Sequence, residues 1–309
     1  IRHPSGTQEA ASFHEVSRMI ANATPTPQAP HVPSGDRRWF TADELSNDVY
    51  HGDLSRDSST SLKEFRKSPQ LYYQKRIACT LSTDEPTDAM KLGTATHAVI
   101  LEPERFGEVI EIIPREVLSA SGSKSGKKYE EWEAAQGGRI CLKQAEADKI
   151  KRMADSVWGN PAAREVLAAH PKRERSLYWT CPATGIDLKC RYDSTQSGDN
   201  PTSFVDLKTA AKPYPDDMPY VVKDSQWHVQ AALYRYALGT ADCFHVVVGN
   251  AEPFDCFVYR LPKISLDAGL SRVLAVLRNI ADCRDDLRPW QSQGWGDVID
   301  LDLPEYSYR

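Results

Sequence analysis

No stretch of the 309 residues approaches the ~20 consecutive apolar residues that a bilayer-spanning helix needs, which excludes an integral membrane protein of that kind. No apolar run follows the opening Ile1, so no secretory signal is expected in this stretch. CxxC pairs are absent. The seven cysteines (Cys79, Cys141, Cys181, Cys190, Cys243, Cys256 and Cys283) are odd in number and widely spaced. That argues against a zinc ribbon or a disulfide frame and for reduced thiols in a cytoplasmic protein. No GxxxxGK[ST] phosphate loop occurs, so no ATP-driven motor is encoded. An excess of one charge is missing too: 38 Lys+Arg stand against 43 Asp+Glu, a net −5. This gives no global basic signature, yet a local basic channel is what nucleic-acid binding needs. What is present is globular, with 40% hydrophobic and 9% aromatic residues, which argues against disorder over most of the chain.

Residues 1–45 carry Pro25, Pro27, Pro30 and Pro33 among small polar residues, the composition of a flexible, extended arm. The rest, 46–309, reads as one domain, with a helical part over 46–172 and an α/β core over 173–285. Ser59-Thr60-Ser61 ahead of Leu62 and Phe65 predicts a capped helix that ends near Ser68-Pro69. A second short helix is predicted over 71–77. MKLGTATHAVIL (90–101) is apolar on nearly all sides, the pattern of a buried helix, with His97 in its middle. The Ser, Gly and Lys-rich stretch 119–131 predicts a mobile basic loop, and one helical pattern covers about 143–169.

From residue 174 the period changes to two. Strands are predicted over 174–180, 186–192 and 203–209, joined by turns at Ala183-Thr184-Gly185 and at 197–200. In the second, Ile186, Leu188, Cys190 and Tyr192 face one way, and Asp187, Lys189, Arg191 and Asp193 the other. A helix over about 222–238, strands over 243–249 and 254–261, and an amphipathic helix over 264–283 complete the order.

The chemistry-bearing residues cluster between Asp193 and Lys208. Period two puts Asp206 and Lys208 on one face, about 7 Å apart. Two carboxylates brought together by a meander repel each other unless a cation lies between them, and oxygen ligands suit Mg²⁺ or Mn²⁺. Taken alone, a D-x(12)-D-x-K pattern is weak, because acids and lysines on an alternating strand usually form a solvated face.

Six segments in order strengthen it: 58–76, KLGTATHAVILEPERF (91–106), RERSLYW (173–179), TGIDLKCRYD (184–193), FVDLKTA (204–210) and WHVQAALYRYAL (227–238). With these the chain resembles the RecE-type exonucleases (exodeoxyribonuclease VIII) of the PD-(D/E)xK nuclease superfamily. The resemblance implies an α/β fold with a restriction-endonuclease-like core, a mixed central sheet flanked by helices, and makes 173–285 the catalytic core. It implies Asp193 and Asp206 as the two acids and Lys208 as the catalytic lysine. His97, Asp193, Asp206 and the Leu207 carbonyl would hold Mg²⁺, with Mn²⁺ as the alternative. Gln230 and Tyr234, four apart on one helix face, would orient active-site groups. Glu174 matches an acidic position of unassigned role. Ser59, Ser61, Lys63 and Arg66 would meet DNA near the site entrance and receive the 5′ phosphate; Lys67, Lys75, Arg76, Lys124, Lys127 and Lys128 are further basic candidates. The family usually has Pro before the first acid; here Tyr192 stands there. Cys243, Cys256 and Cys283 are too dispersed for the iron–sulfur variants.

The implied activity is metal-dependent 5′→3′ exonuclease action on double-stranded DNA ends. It would leave 3′ single-stranded tails for an annealing protein of the RecT type, from a homotetramer ring. The alternatives are an endonuclease or repair-complex nuclease domain of the same fold, and a non-catalytic DNA-binding scaffold.

Overall fold

A computed structural model describes residues 37–82, 86–239 and 241–299. The elements in chain order begin with β1 (Arg38–Phe40), α1 (Asn47–Gly52), α2 (Ser59–Lys67) and α3 (Pro69–Tyr72), which runs into a π-helical turn over Tyr73–Ile77. There follow α4 (Asp88–Leu101), α5 (Phe106–Val109), β2 (Ile110–Ile112), α6 (Lys127–Ala134), β3 (Ile140–Leu142), α7 (Gln144–Gly159) and α8 (Pro161–Ala169). The core then runs β4 (Lys172–Thr180), β5 (Asp187–Thr195), β6 (Ser203–Ala210), α9 (Met218–Ser225), α10 (Trp227–Leu238), β7 (Asp242–Gly249), β8 (Cys256–Arg260) and α11 (Lys263–Arg284).

Six strands form one sheet in the order β1-β4-β5-β6-β7-β8. Only β6 and β7 in it are parallel, and α9 and α10 supply the crossover that a parallel pair requires. The sheet is therefore mixed, as expected. Strand β7 lies deepest: Cys243 through Val248 are all buried, the near-continuous run of a strand covered on both faces.

Helices cover both faces. On one, Leu62 and Phe65 of α2, Val229 and Leu233 of α10, and Val273 and Leu277 of α11 pack on Leu177, Leu188, Cys190, Tyr192 and Phe204. On the other, Ile100 of α4, Met153 and Val157 of α7, and Val166 and Leu167 of α8 pack on Val205, Leu207, Phe244, Val246 and Val248. Helices α10 and α11 touch closely at Gly269, where an added Cβ would lie 2.4 Å from the His228 carbonyl oxygen; only glycine allows that approach.

Four expectations need correction. The arm reaches too far, because Arg38–Phe40 pair antiparallel with Ser176–Tyr178 as an edge strand; residues 1–36 of it lie outside the described residues. The 143–169 pattern is two helices, split where Asn160 caps the second and Pro161 removes a backbone donor. The helix near 222 is also two, broken at Gln226, whose φ is +59°. The 119–131 loop ends in α6, with Lys124 paired to Glu146 at 2.9 Å. The face pattern of β5 holds, with Ile186, Leu188, Cys190 and Tyr192 all buried. The opposite face is only partly solvated: Asp187 is exposed and Arg191 half-buried, while Lys189 is buried under Tyr50 and donates to the Tyr50 and Asp53 carbonyls. Among the described residues no helix is long and apolar enough to cross a membrane.

Candidate active site

The site opens where β5 and β6 separate. These strands pair only at Ser194↔Val205 and Thr195↔Phe204, whereas β6 and β7 pair at eight positions. Beyond the two pairs the Leu207 N–H has lost its ladder partner on β5. The Asp193 carboxylate takes it instead, Oδ2 accepting at 2.6 Å. One hydrogen bond thus ties the first acid to the backbone between the second acid and the lysine.

Lys208 Nζ donates to Asp206 Oδ1 at 3.0 Å. Asp206 Oδ2 lies 2.9 Å from Lys208 Nζ and 3.4 Å from His245 Nε2, but neither contact has hydrogen-bond geometry, so this buried oxygen keeps no hydrogen bond. From the other side of the sheet α4 brings His97, whose Nδ1 lies 3.6 Å from Asp193 Oδ2.

Glu174 completes the cluster. Its φ is +46°, left-handed for a side chain with a Cβ, at a cost of order 1–3 kcal/mol. The β4/β5 ladder passes from Arg173↔Ser194 to Arg175↔Tyr192, so Glu174 and Asp193 face each other at a gap in it. Among the described residues, His97, Glu174 and Asp193 each bring a ligand atom within 4.8 Å of one another. Glu174, without a role assigned from the sequence, thus stands in this group, while Asp206 is paired with Lys208.

The electrostatics follow from this crowding. Burial, then the Asp206 charge, push the Asp193 pKa up to about 7. Burial, then Asp193, push Glu174 up to about 8. At Asp206 burial works upward, but Lys208 and then His245 outweigh it and hold the carboxyl below its ordinary value. At Lys208 burial works downward, and Asp206 and then Asp193 overcome it and raise the ammonium pKa. Burial lowers His97 despite Glu174, leaving a neutral imidazole suited to ligation. With Lys208 committed to Asp206, Asp193 and Glu174 hold on to their protons until a cation joins them to favour the ionised form. With the unbonded Asp206 Oδ2, this hard oxygen and imidazole set fits a divalent cation such as Mg²⁺ or Mn²⁺.

Gln230 Nε2 donates to Tyr234 Oη at 3.3 Å on one face of α10. The Tyr234 pKa is raised, by burial first and then Cys190, with Asp206 and Asp193 among the lesser causes. Tyr192, in the usual proline position, donates its hydroxyl to the Tyr234 carbonyl at 2.9 Å and meets the Tyr234 ring at 5.1 Å. It fixes the strand end by packing instead of by ring closure.

At the entrance, Lys63 Nζ donates to the Ser225 carbonyl at 3.1 Å. Its pKa is lowered by burial and then by the Lys208 charge, with Asp206 opposing. Arg66 Nη1 donates to Gln226 Oε1 at 2.5 Å. Ser59 opens α2 and is half-buried. Ser61 is corrected as a DNA contact: it is fully buried, and its hydroxyl accepts from the Ser58 N–H at 2.7 Å and donates to the Ser58 carbonyl at 2.8 Å, closing the α2 cap. Trp227 opens the 227–238 segment but carried no role there, and His245 had no signal in the sequence; the parallel β6/β7 register places it beside Asp206.

Comparison with known proteins bears on the fold and the family. Residues 58–294 match the family described as "PDDEXK-like domain of unknown function (DUF3799)". A crystal structure described as "Putative exonuclease" from Eubacterium rectale superposes with a TM-score of 0.56 at 12% identity, covering 87% of this chain and 97% of that one; at this identity it shows a shared fold. Rai1 from Scheffersomyces stipitis, with (3′-NADP)⁺ and calcium ion, matches at 12% identity over 77% of this chain and 69% of its own, with a TM-score of 0.29 that carries no argument. No curated protein matches the sequence. The α/β fold, its mixed sheet flanked by helices, is that of the PD-(D/E)xK nucleases, and the chain belongs to the family of PDDEXK-like domains.

Proposed function

We propose that this domain is a Mg²⁺-dependent 5′→3′ exonuclease of the RecE type, acting on double-stranded DNA ends and releasing mononucleotides. The observation that carries the reading is the convergence of Asp193, Asp206, Lys208 and His97 where β5 and β6 part. The intact acid and lysine set argues against a scaffold with a decayed site. The Eubacterium rectale protein of the same fold is itself described as a "Putative exonuclease", in keeping with the reading.

His97, Asp193, the Leu207 carbonyl and Asp206 would hold the cation, with Glu174 as a further oxygen donor. When bound, a divalent cation supplies an acidified water and charge neutralisation at phosphorus. The protein's own contribution is positional. Lys208, held as an ammonium by Asp206, orients the nucleophile and meets phosphate charge rather than taking a proton. The Leu207 N–H fixes Asp193, so that acid keeps its place as charge shifts. Gln230 and Tyr234 brace the acid side of α10. Lys63 and Arg66, from α2, gather the scissile strand through its phosphates, and Lys63 beside Lys208 suits a terminal 5′ phosphate.

The products would be 3′ single-stranded tails for an annealing protein of the RecT type. With no motor in the chain, processivity would come from a homotetramer ring enclosing the duplex. The test is a time course on linear duplex labelled at each 5′ and 3′ end, beside a covalently closed circle, with and without Mg²⁺. Early loss of 5′ label with the circle intact is expected; nicking of the circle would turn the reading to an endonuclease.

A further inference from the structure

Behind the Asp206–Lys208 pair stands a layer to which the sequence motifs give no role. Strand β7 sets His245 in register beside Asp206, and both are buried, 2% and 4% exposed. His245 Nε2 lies 3.4 Å from Asp206 Oδ2. The Trp227 indole stacks on the imidazole, centroids 5.6 Å apart and planes 8° from parallel. The same indole lies 5.9 Å from the Lys208 ammonium. On the far side of the ring, Cys243 Sγ lies 3.6 Å from His245 Nδ1.

These contacts fix more than packing. A thiol hydrogen given to Nδ1 leaves the ring's own hydrogen on Nε2, facing Asp206. Stacking on Trp227 prevents the ring from turning away. Asp206 Oδ2 has no hydrogen bond of good geometry, and apart from Lys208 the side chain nearest to giving one is His245. Lys208 cannot serve the substrate and steady Asp206 equally well. Carboxylates that ligate cations need an outer partner to hold their orientation.

We propose that His245, clamped by Trp227, is a positioning residue that holds the Asp206 carboxylate toward a divalent cation and frees Lys208 for the phosphate. The inference rests on reading the site as a divalent-cation centre.

The experiment measures Mn²⁺ affinity by electron paramagnetic resonance, nucleotide release from linear duplex, and melting temperature. The proteins are wild type, His245→Ala, His245→Gln, Trp227→Phe and Asp206→Asn. Second-layer losses run about 10–100-fold in cation affinity, and that weakening is expected in His245→Ala. His245→Gln, whose amide N–H replaces the Nε2 hydrogen, should recover most of it, and Trp227→Phe, which leaves only a smaller ring to hold the imidazole, should fall between wild type and His245→Ala. Wild-type affinity and release in folded His245→Ala would overturn the proposal. So would a folded His245→Gln no better than Asp206→Asn, which decides the matter if His245→Ala does not fold. Wild type that neither binds Mn²⁺ nor cuts DNA would instead sink the nuclease reading beneath it.

Discussion

The Asp193 carboxylate accepts the Leu207 N–H across the gap between β5 and β6, at 2.6 Å. This bond explains how a sheet can open without leaving a buried donor unpaired, and why the first acid sits still before any cation arrives. It also separates two roles of one side chain, as acceptor and as charge.

Substitution of Asp193 should divide those roles. Asp193→Asn keeps an acceptor oxygen and removes the charge, so it should fold normally and lose cleavage. Asp193→Ala should lose cleavage and also destabilise the domain by about 1–3 kcal/mol, the cost of an unpaired buried N–H. Urea denaturation of both variants checks this; equal stabilities would contradict it.

Stability should fall with rising pH in the cation-free protein. Asp193 and Glu174 hold their protons up to about 7 and about 8, against 3.8 and 4.5 ordinarily. Between those values the unfolded chain has released protons that the folded one keeps, so each rise in pH favours unfolding. Calorimetry in chelator should show the melting temperature dropping from about pH 5 to about pH 8, less steeply in Asp193→Asn. Mg²⁺ should restore most at the alkaline end, because it binds the ionised acids. An unchanged slope in Asp193→Asn would contradict the assignment.

Much of this was legible in the residues. The β5 alternation and the shared face of Asp206 and Lys208 follow from period two, and both stand. The break at Asn160-Pro161 was also on the page, as a cap followed by a proline, though a continuous periodicity hid it. Other features were not legible. The left-handed Glu174 belongs to a residue type that rarely takes that conformation, and only the surrounding ladder holds it there. His245 looks like one more member of an apolar strand until the parallel register sets it against Asp206. The edge strand at Arg38–Phe40 follows a proline-rich stretch and exists because β4 offers an open edge.

Glu174→Gly should show a trade. Removing the Cβ relieves the left-handed strain, so melting temperature should hold or rise. Cation affinity should fall, because a ligand of the His97–Glu174–Asp193 group is gone. A loss of stability with undiminished Mn²⁺ binding would reverse the role given to this residue.

Lys63 and Arg66 should act through phosphates. Replacing either with alanine should weaken duplex binding and reduce the slope of log affinity against log salt by about one. Fluorescence anisotropy on 5′-phosphorylated and 5′-hydroxyl duplexes checks both. Lys63→Ala should also lose preference for the phosphorylated end; an unchanged preference removes Lys63 from that role.

The most direct measurement is acid-soluble nucleotide released from linear duplex DNA with and without Mg²⁺, by wild type and by Lys208→Ala. The account predicts release by wild type only when Mg²⁺ is present. In Lys208→Ala it predicts a drop on the order of 10²–10³-fold with duplex binding and fold retained. Release without a divalent cation, or full activity in Lys208→Ala, would contradict it.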